Sequence, residues 1–239
     1  GMYRLPSHLI SGSSPALRCQ EVLLPGLSAP VSCLEGADPD ELLQRAIDGD
    51  EDEYCAQIWP SAFAAARALV RHLSVRPGSV TELGCGPGLP SLAALAAGAP
   101  SVTATDWSPL ALALTRHAAD TFQPERAARL ATVRLDVFGS RVSPFGWPCD
   151  YLVAADMLYD AATAEAVGRC AAQQSRLGTT TVIADPGRPG GRAAFLRGVA
   201  SARGPDFAHS LHFKAEGLPQ RWCGASQSAA IGICELPPV

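Results

Sequence analysis

The chain of 239 residues is 47% apolar and 18% charged, with a formal net charge of -4. That balance is expected of a soluble globular protein and excludes a disordered or fibrous chain. It also offers no broadly basic surface of the kind that displaces counterions in general nucleic-acid binding.

No run reaches the roughly 18 apolar residues of a membrane span, and the N-terminal stretch lacks the unbroken apolar core of a secretory signal, so no membrane association is expected. The cysteines Cys19, Cys33, Cys55, Cys85, Cys149, Cys170, Cys223 and Cys234 show no C-x-x-C spacing and no Cys/His cluster. They read as free thiols in a reducing compartment, cytoplasmic or, if a targeting peptide has been removed, mitochondrial; no metal is expected.

In chain order, "RCQEVLLPGLSAPVSCLEG" from Arg18 predicts two short strands around a Pro-Gly turn. "ADPDELLQRAID" predicts a helix with Asp38 at its cap and Pro39 at its first position. The acidic run Asp48 to Tyr54 reads as a solvated loop or as a surface that draws in a basic substrate. Ser61 to Leu73 has apolar residues at helical spacing.

From there the pattern alternates: strand "SVTEL", helix "PSLAALAA", strand "SVTATD", helix "SPLALALTRHAAD", strand "ATVRLD". After a loop rich in Pro, Gly and aromatic residues come strand "DYLVAAD", helix "AATAEAVGRCAAQQSRL", strand "TTTVIAD" and a helix from about Gly191 to Ala200. The runs "DFAHSLHF" and "SAAIGICEL" read as a terminal antiparallel pair. Alternating strands and helices predict an α/β fold with a mostly parallel sheet covered on both faces. Ligands are then expected at the carboxyl ends of the strands, near the switch in strand order.

The segment "TELGCGPGLPS" places Gly84, Gly86 and Gly88 between a strand and a helix. A dinucleotide loop needs G-x-G-x-x-G, and Leu89 stands where its third glycine belongs, which argues against a nicotinamide cofactor. Glu82 ahead of the glycines would repel a pyrophosphate but suits a cationic amino acid moiety. Asp106 ends the next strand about 20 positions after Gly84, where a carboxylate reaches two ribose hydroxyls. Trp107 beside it would pack on an adenine face, and Asp136, ending the third strand, would accept the adenine amino group. Taken singly, an aspartate at a strand end is more often a turn or cap residue; three consecutive strands ending in such acids favour a site.

On these residues the stretch from about Ile58 to Val239 resembles the class I, seven-β-strand methyltransferases that use S-adenosylmethionine. The resemblance implies a Rossmann-like seven-stranded sheet, mostly parallel with an antiparallel last strand, as a domain over 58-239. Residues 1-57 would form a small extension of hairpin, helix and acidic loop. It implies S-adenosylmethionine contacts from Trp59, Glu82, Gly84, Cys85, Gly86, Gly88, Asp106, Trp107, Asp136, Val137 and Ala155, with S-adenosylhomocysteine as product. "IWPSAFAAARAL" resembles the W-P-x-G-x-x-L segment of the lysine-methyltransferase branch, with Ala62 in place of the usual glycine. "ADMLYD" looks like the D-x-x-Y element of that branch, and "IADPGRP" is similar to a segment of the enzymes acting on the electron transfer flavoprotein β subunit.

Together these imply a protein lysine N-methyltransferase with Asp156 and Tyr159 in catalytic roles and Asp185 and Arg188 facing the substrate, Arg188 toward an acidic group of the partner. Asp156 would bind the acceptor ammonium and orient its lone pair after deprotonation; its other possible role is to cap the next helix. Asp185 and Arg188 would otherwise brace their turn. Trp59, Phe145 and Trp147 would wall the acceptor channel or anchor the core. The protein acceptor stands against a small-molecule acceptor, as in the nicotinamide N-methyltransferase-like proteins, and against a non-catalytic module that keeps the cofactor site.

Overall fold

The computed structural model describes residues 2-10, 13-48, 53-139, 149-218 and 231-238. Phe145, Trp147, Cys223 and most of the acidic run lie outside these residues.

Strands β1 (Met2–Tyr3), β2 (Leu17–Val22) and β3 (Val31–Gly36) form a three-stranded antiparallel sheet, so the expected hairpin carries one further short strand at its edge. Helix α1 (Pro39–Asp48) comes next, with the Asp38 carboxylate accepting the Asp40 amide at 3.0 Å as the sequence predicts for its cap. Helix α2 (Pro60–Val75) leads into β4 (Val80–Leu83), α3 (Leu89–Ala96), β5 (Val102–Asp106), α4 (Pro109–Phe122), β6 (Leu130–Arg134), β7 (Tyr151–Ala155), α5 (Ala161–Arg176), β8 (Thr180–Asp185) and α6 (Gly191–Arg203). The chain ends with α7 (Pro205–Ser210), β9 (Lys214–Glu216) and β10 (Ile231–Leu236).

One expected strand is a helix. Asp206–Ser210 forms most of α7, because Pro205 stands at the first helical position and Gly204 caps it; the edge strand β9 begins only at Lys214. Strand β10 pairs antiparallel with both β8 and β9; the expected pairing with the run Asp206 to Phe213 does not form, because β9 lies just beyond that run.

The large sheet has the order β6-β5-β4-β7-β8-β10-β9. Strands β4 to β8 pair in parallel, and β10 runs against its neighbours. Both faces are covered, as the alternation within single strands shows. Tyr151 and Val153 of β7 join a core with Phe63, Leu69, Leu92 and Leu114 from α2, α3 and α4. Leu152 and Ala154 join a second core with Val167, Phe195 and Val199 from α5 and α6.

The N-terminal sheet belongs to the first of these cores through Leu17, Val22, Val31 and Leu34. Glu35 of β3 ties it to the edge of the large sheet's ligand end, accepting from Arg18 Nε at 2.9 Å and from the Ile58 amide at 3.1 Å. That second bond fixes the chain just before Trp59.

Candidate active site

Strand order reverses between β4 and β7, whose connections run to opposite edges of the sheet. There the carboxyl ends of the parallel strands open into a cavity of about 1340 Å³. Its floor comes from Leu83 to Pro87, Thr105 to Trp107, Arg134 to Phe138 and Ala155 to Met157, and the segment Tyr54 to Trp59 closes one side.

The turn after β4 is built for close approach. Gly84 sits at φ 61°, and a Cβ there would overlap Met157 Sδ. Gly88 at φ 77° caps α3, where a Cβ would overlap Thr115 Oγ1. A side chain at either position would be strained by the backbone and blocked by its neighbour. The loop amides are used as well as freed: Gly86 donates to Asp106 Oδ2 at 2.9 Å, while the Ser108 amide donates to Oδ1 at 2.9 Å.

Glu82 is almost fully buried, yet it lines the cavity. Its Oε2 accepts from the Ser91 amide at 2.9 Å and the Ser91 hydroxyl at 2.5 Å. Burial pushes this carboxyl up to about 8, with the Asp106 charge adding to the rise and the two Ser91 bonds opposing it. Asp136 lies two residues beyond the end of β6 rather than at it, exposed, its Oδ1 accepting the Phe138 amide at 2.9 Å. Trp107, Phe138 and Tyr159 are exposed at the rim.

The other half of the cavity is made from side chains. Asp156 comes directly after β7 and is the one described non-glycine residue with positive φ, at 59°. Such a backbone is uncommon outside glycine, although Asp adopts it more readily than most residues. Its amide donates to the Ala184 carbonyl at 3.0 Å, and its Oδ2 accepts from Ser61 Oγ at 3.3 Å. Its Oδ1 accepts from Arg188, whose guanidinium carbon also lies 5.9 Å from the centre of the Trp59 ring. Burial raises the Asp156 carboxyl above its ordinary range; the hydrogen bond and charge of Arg188 pull it back, Asp185 adds to the rise, and Ser61 lowers it. Helix capping falls instead to Asp160, which accepts the amides of Ala162 and Thr163 at 2.8 and 2.9 Å.

The cavity therefore gathers Trp59, Glu82, Gly84, Cys85, Gly86, Asp106, Trp107, Asp136, Val137, Ala155, Asp156, Tyr159 and Arg188, but neither Gly88 nor Asp185. Gly88 serves the turn from behind. Asp185 is sealed at 0% exposure, its Oδ2 accepting from Arg192 Nε at 2.8 Å and the Gly187 amide at 2.6 Å. The brace expected between Asp185 and Arg188 is thus made with Arg192, and Arg188 faces the chain's own Asp156. Ser61 and Phe138 join the site without a signal of their own in the sequence. Ser61 lies inside the "IWPSAF" segment, and Phe138 stands directly after Val137. Among the described residues no cluster of three or more His, Cys, Asp or Glu suits a metal ion, and no helix is long and apolar enough to cross a membrane.

The seven-stranded sheet with its reversed β10, the glycine turn after β4 and the cavity over the strand ends define the class I methyltransferase fold. A solved structure shares it: the O-methyltransferase from Bacillus cereus in complex with S-adenosylhomocysteine superposes with a TM-score of 0.52 at 15% identity, over 83% of this chain and 90% of that one. In sequence, the chain is similar to the electron transfer flavoprotein beta subunit lysine methyltransferases of Danio rerio and Xenopus laevis. The first is 34% identical over 139 residues, 57% of this chain and 51% of that protein; the second is 32% identical over 146 residues, 57% and 54%. The chain thus spans about half the length of the curated relatives it matches. No family model matches it.

Proposed function

We propose that this chain is an S-adenosylmethionine-dependent N-methyltransferase whose acceptor is a lysine of a partner protein. The observation that carries this reading is the placement of Asp156: a shielded carboxylate directly after β7, lining the same cavity as the glycine turn and Asp106. The similarity to two lysine methyltransferases supports a protein acceptor, and the electron transfer flavoprotein β subunit is the first to try.

The residues fit the cofactor. The cavity is large enough for a nucleoside with an amino acid arm, since ligand sites commonly span about 300-1,000 Å³. In this reading Asp106 faces the ribose, Asp136 and Val137 the adenine with Trp107 at its face, and Glu82, Gly84, Cys85 and Gly86 the methionine arm. Trp59 and Ala155 stand where the two halves meet. When bound, S-adenosylmethionine supplies a sulfonium methyl group open to in-line displacement by an amine.

This chain's own groups then have a limited task, alignment and exclusion of water. A lysine amine, with an ordinary pKa of about 10.4, arrives as ammonium and must shed its proton. Asp156 binds that ammonium, accepts hydrogen bonds from it, and holds the nitrogen facing the glycine turn as the proton passes to solvent. Tyr159 at the rim adds a hydrogen-bonding hydroxyl. The N-terminal extension, through Glu35 and Ile58, holds Trp59 at the acceptor side and shapes the entrance. Residues 1-57 and 58-239 act in this way as extension and catalytic domain. The free cysteines suit the cytoplasm or another reducing compartment.

The test is methyl-labelled S-adenosylmethionine with purified electron transfer flavoprotein β subunit and either the parent chain or Asp156→Asn. The expected result is label on an acceptor lysine, reduced about 100-fold in the variant, the scale of a lost positioned acid-base group. No label on the subunit would exclude it as the acceptor; in a cell extract, label confined to small molecules would assign a metabolite acceptor, and no transfer there by a chain that binds the cofactor would refute the catalytic reading. Self-labelling is easily subtracted, because Lys214 is the sole lysine.

A further inference from the structure

We propose that Arg188 is a resident stand-in for the acceptor: its guanidinium fills a subsite for an alkylammonium ion formed by the Asp156 carboxylate and the Trp59 ring. Entry of a lysine side chain requires its withdrawal. This deepens the proposed function and rests on it for the identity of the acceptor, though not for the existence of the subsite.

Two walls define the subsite. Asp156 gives Oδ1 to the guanidinium, and the Trp59 ring lies 5.9 Å from the guanidinium carbon. A carboxylate joined by an aromatic face is the pairing that recognises alkylammonium ions generally. Arg188 cannot itself serve as acceptor, because a guanidinium keeps its proton at any ordinary pH and presents no free lone pair.

Both walls stay in place without Arg188. Asp156 is held by the hydrogen bond its amide donates to the Ala184 carbonyl and by the Ser61 hydroxyl, which donates to its other oxygen. Trp59 is placed by its position before Pro60 at the start of α2, and its indole N–H reaches the Tyr54 carbonyl at 3.4 Å. Arg188 is held less firmly. Its side chain makes one ion pair and one ring contact, and its loop is flanked by Gly187 at φ 84° and Gly190 at φ 80°.

The contrast with Arg192 sharpens the assignment. Arg192 donates to both the carboxylate and the carbonyl of Asp185 and stacks 4.6 Å from the Phe213 ring, so it has no second position available without breaking the end of β8. Arg188 has one ion pair and one ring contact, both of which a lysine ammonium reproduces. Exchange of one monocation for another keeps Asp156 neutralised throughout, which avoids the cost of an unpaired buried carboxylate.

The experiment titrates n-butylammonium into the full chain, with and without S-adenosylhomocysteine, for the parent, Arg188→Ala, Arg188→Gln and Arg188→Ala/Asp156→Asn, reading ligand NMR line widths and calorimetry. The expected result is at least tenfold tighter binding in both single variants than in the parent, lost again in the double variant. Two substitutions of different size guard against one that fails to fold. Folded single variants that bind n-butylammonium no better than the parent would overturn the proposal. A gain in the single variants, coupled with a parent that does not bind S-adenosylhomocysteine, would uphold the subsite and overturn the cofactor reading instead.

Discussion

Strands β7 and β8 are neighbours, with an aspartate directly after the first and at the end of the second, each paired with an arginine, yet the two pairs behave as different devices. Asp185 is sealed at 0% exposure and braced by Arg192 and the Gly187 amide. Asp156, one strand nearer the centre, faces a cavity, sits in a left-handed backbone and is paired with Arg188, which lines the same cavity. The difference lies in the path the chain takes beyond each strand. After β8 the chain turns so that Arg192, in the first turn of α6, folds back over the strand end. After β7 it runs along the cavity rim before Asp160 starts α5. A carboxylate closed over by its own helix stabilises the fold, whereas one left facing a cavity is available to a ligand.

The comparison breaks most visibly at Asp185. Asp185→Ala leaves both Arg192 and the Gly187 amide without their buried acceptor and is expected to cost about 3 kcal/mol in denaturant unfolding, whereas Asp156→Asn, which keeps a polar side chain in place, is expected to cost less than about 1 kcal/mol. Equal losses would mean that both pairs are structural braces.

Glu82 supplies a third case, almost as buried as Asp185 but at the cavity and with no arginine. Its carboxyl is raised from 4.5 to about 8, so between those values the folded chain holds a proton that the unfolded chain has released. Its contribution therefore diminishes as pH rises through that window. Thermal unfolding of the parent against Glu82→Gln should show the parent losing ground from about pH 5 to pH 8; parallel curves would show that Glu82 ionises normally.

A loss well below that at Asp185 is expected at Asp160. Asp160→Ala removes the cap of α5 and should cost about 1 kcal/mol of stability in the same unfolding measurement. No loss there, with a loss at Asp156, would return the capping role to Asp156.

Much of the fold and site is legible in the sequence because it depends on local periodicity. Strands buried on both faces read as apolar runs, the glycine spacing marks the turn after β4, and the strand-terminal acids point to one end of the sheet. Sequence and structure part where a short pattern is ambiguous or a contact is long-range. "DFAHS" alternates like a strand, but Pro205 at a helix start decides for α7. In "DPGRPGGR" both arginines are close enough in sequence to pair with Asp185, and only the turn into α6 selects Arg192. Ser61 and Asp156 meet across 95 positions, which no spacing rule foretells. Asp136 reads as a strand end but lies two residues past it, because β6 is the edge strand and stops at Arg134.

The proposed function divides one cavity into a half for the cofactor and a half for the acceptor. Calorimetry of S-adenosylmethionine with the parent, Asp106→Ala and Asp156→Asn tests this division directly. Asp106 anchors the Gly86 and Ser108 amides, so its loss should weaken binding about 100-fold or more, at about 1.5-3 kcal/mol for each hydrogen bond to a charged group. Asp156→Asn should bind like the parent. Equal affinity in all three proteins, or a loss confined to Asp156→Asn, would contradict the division.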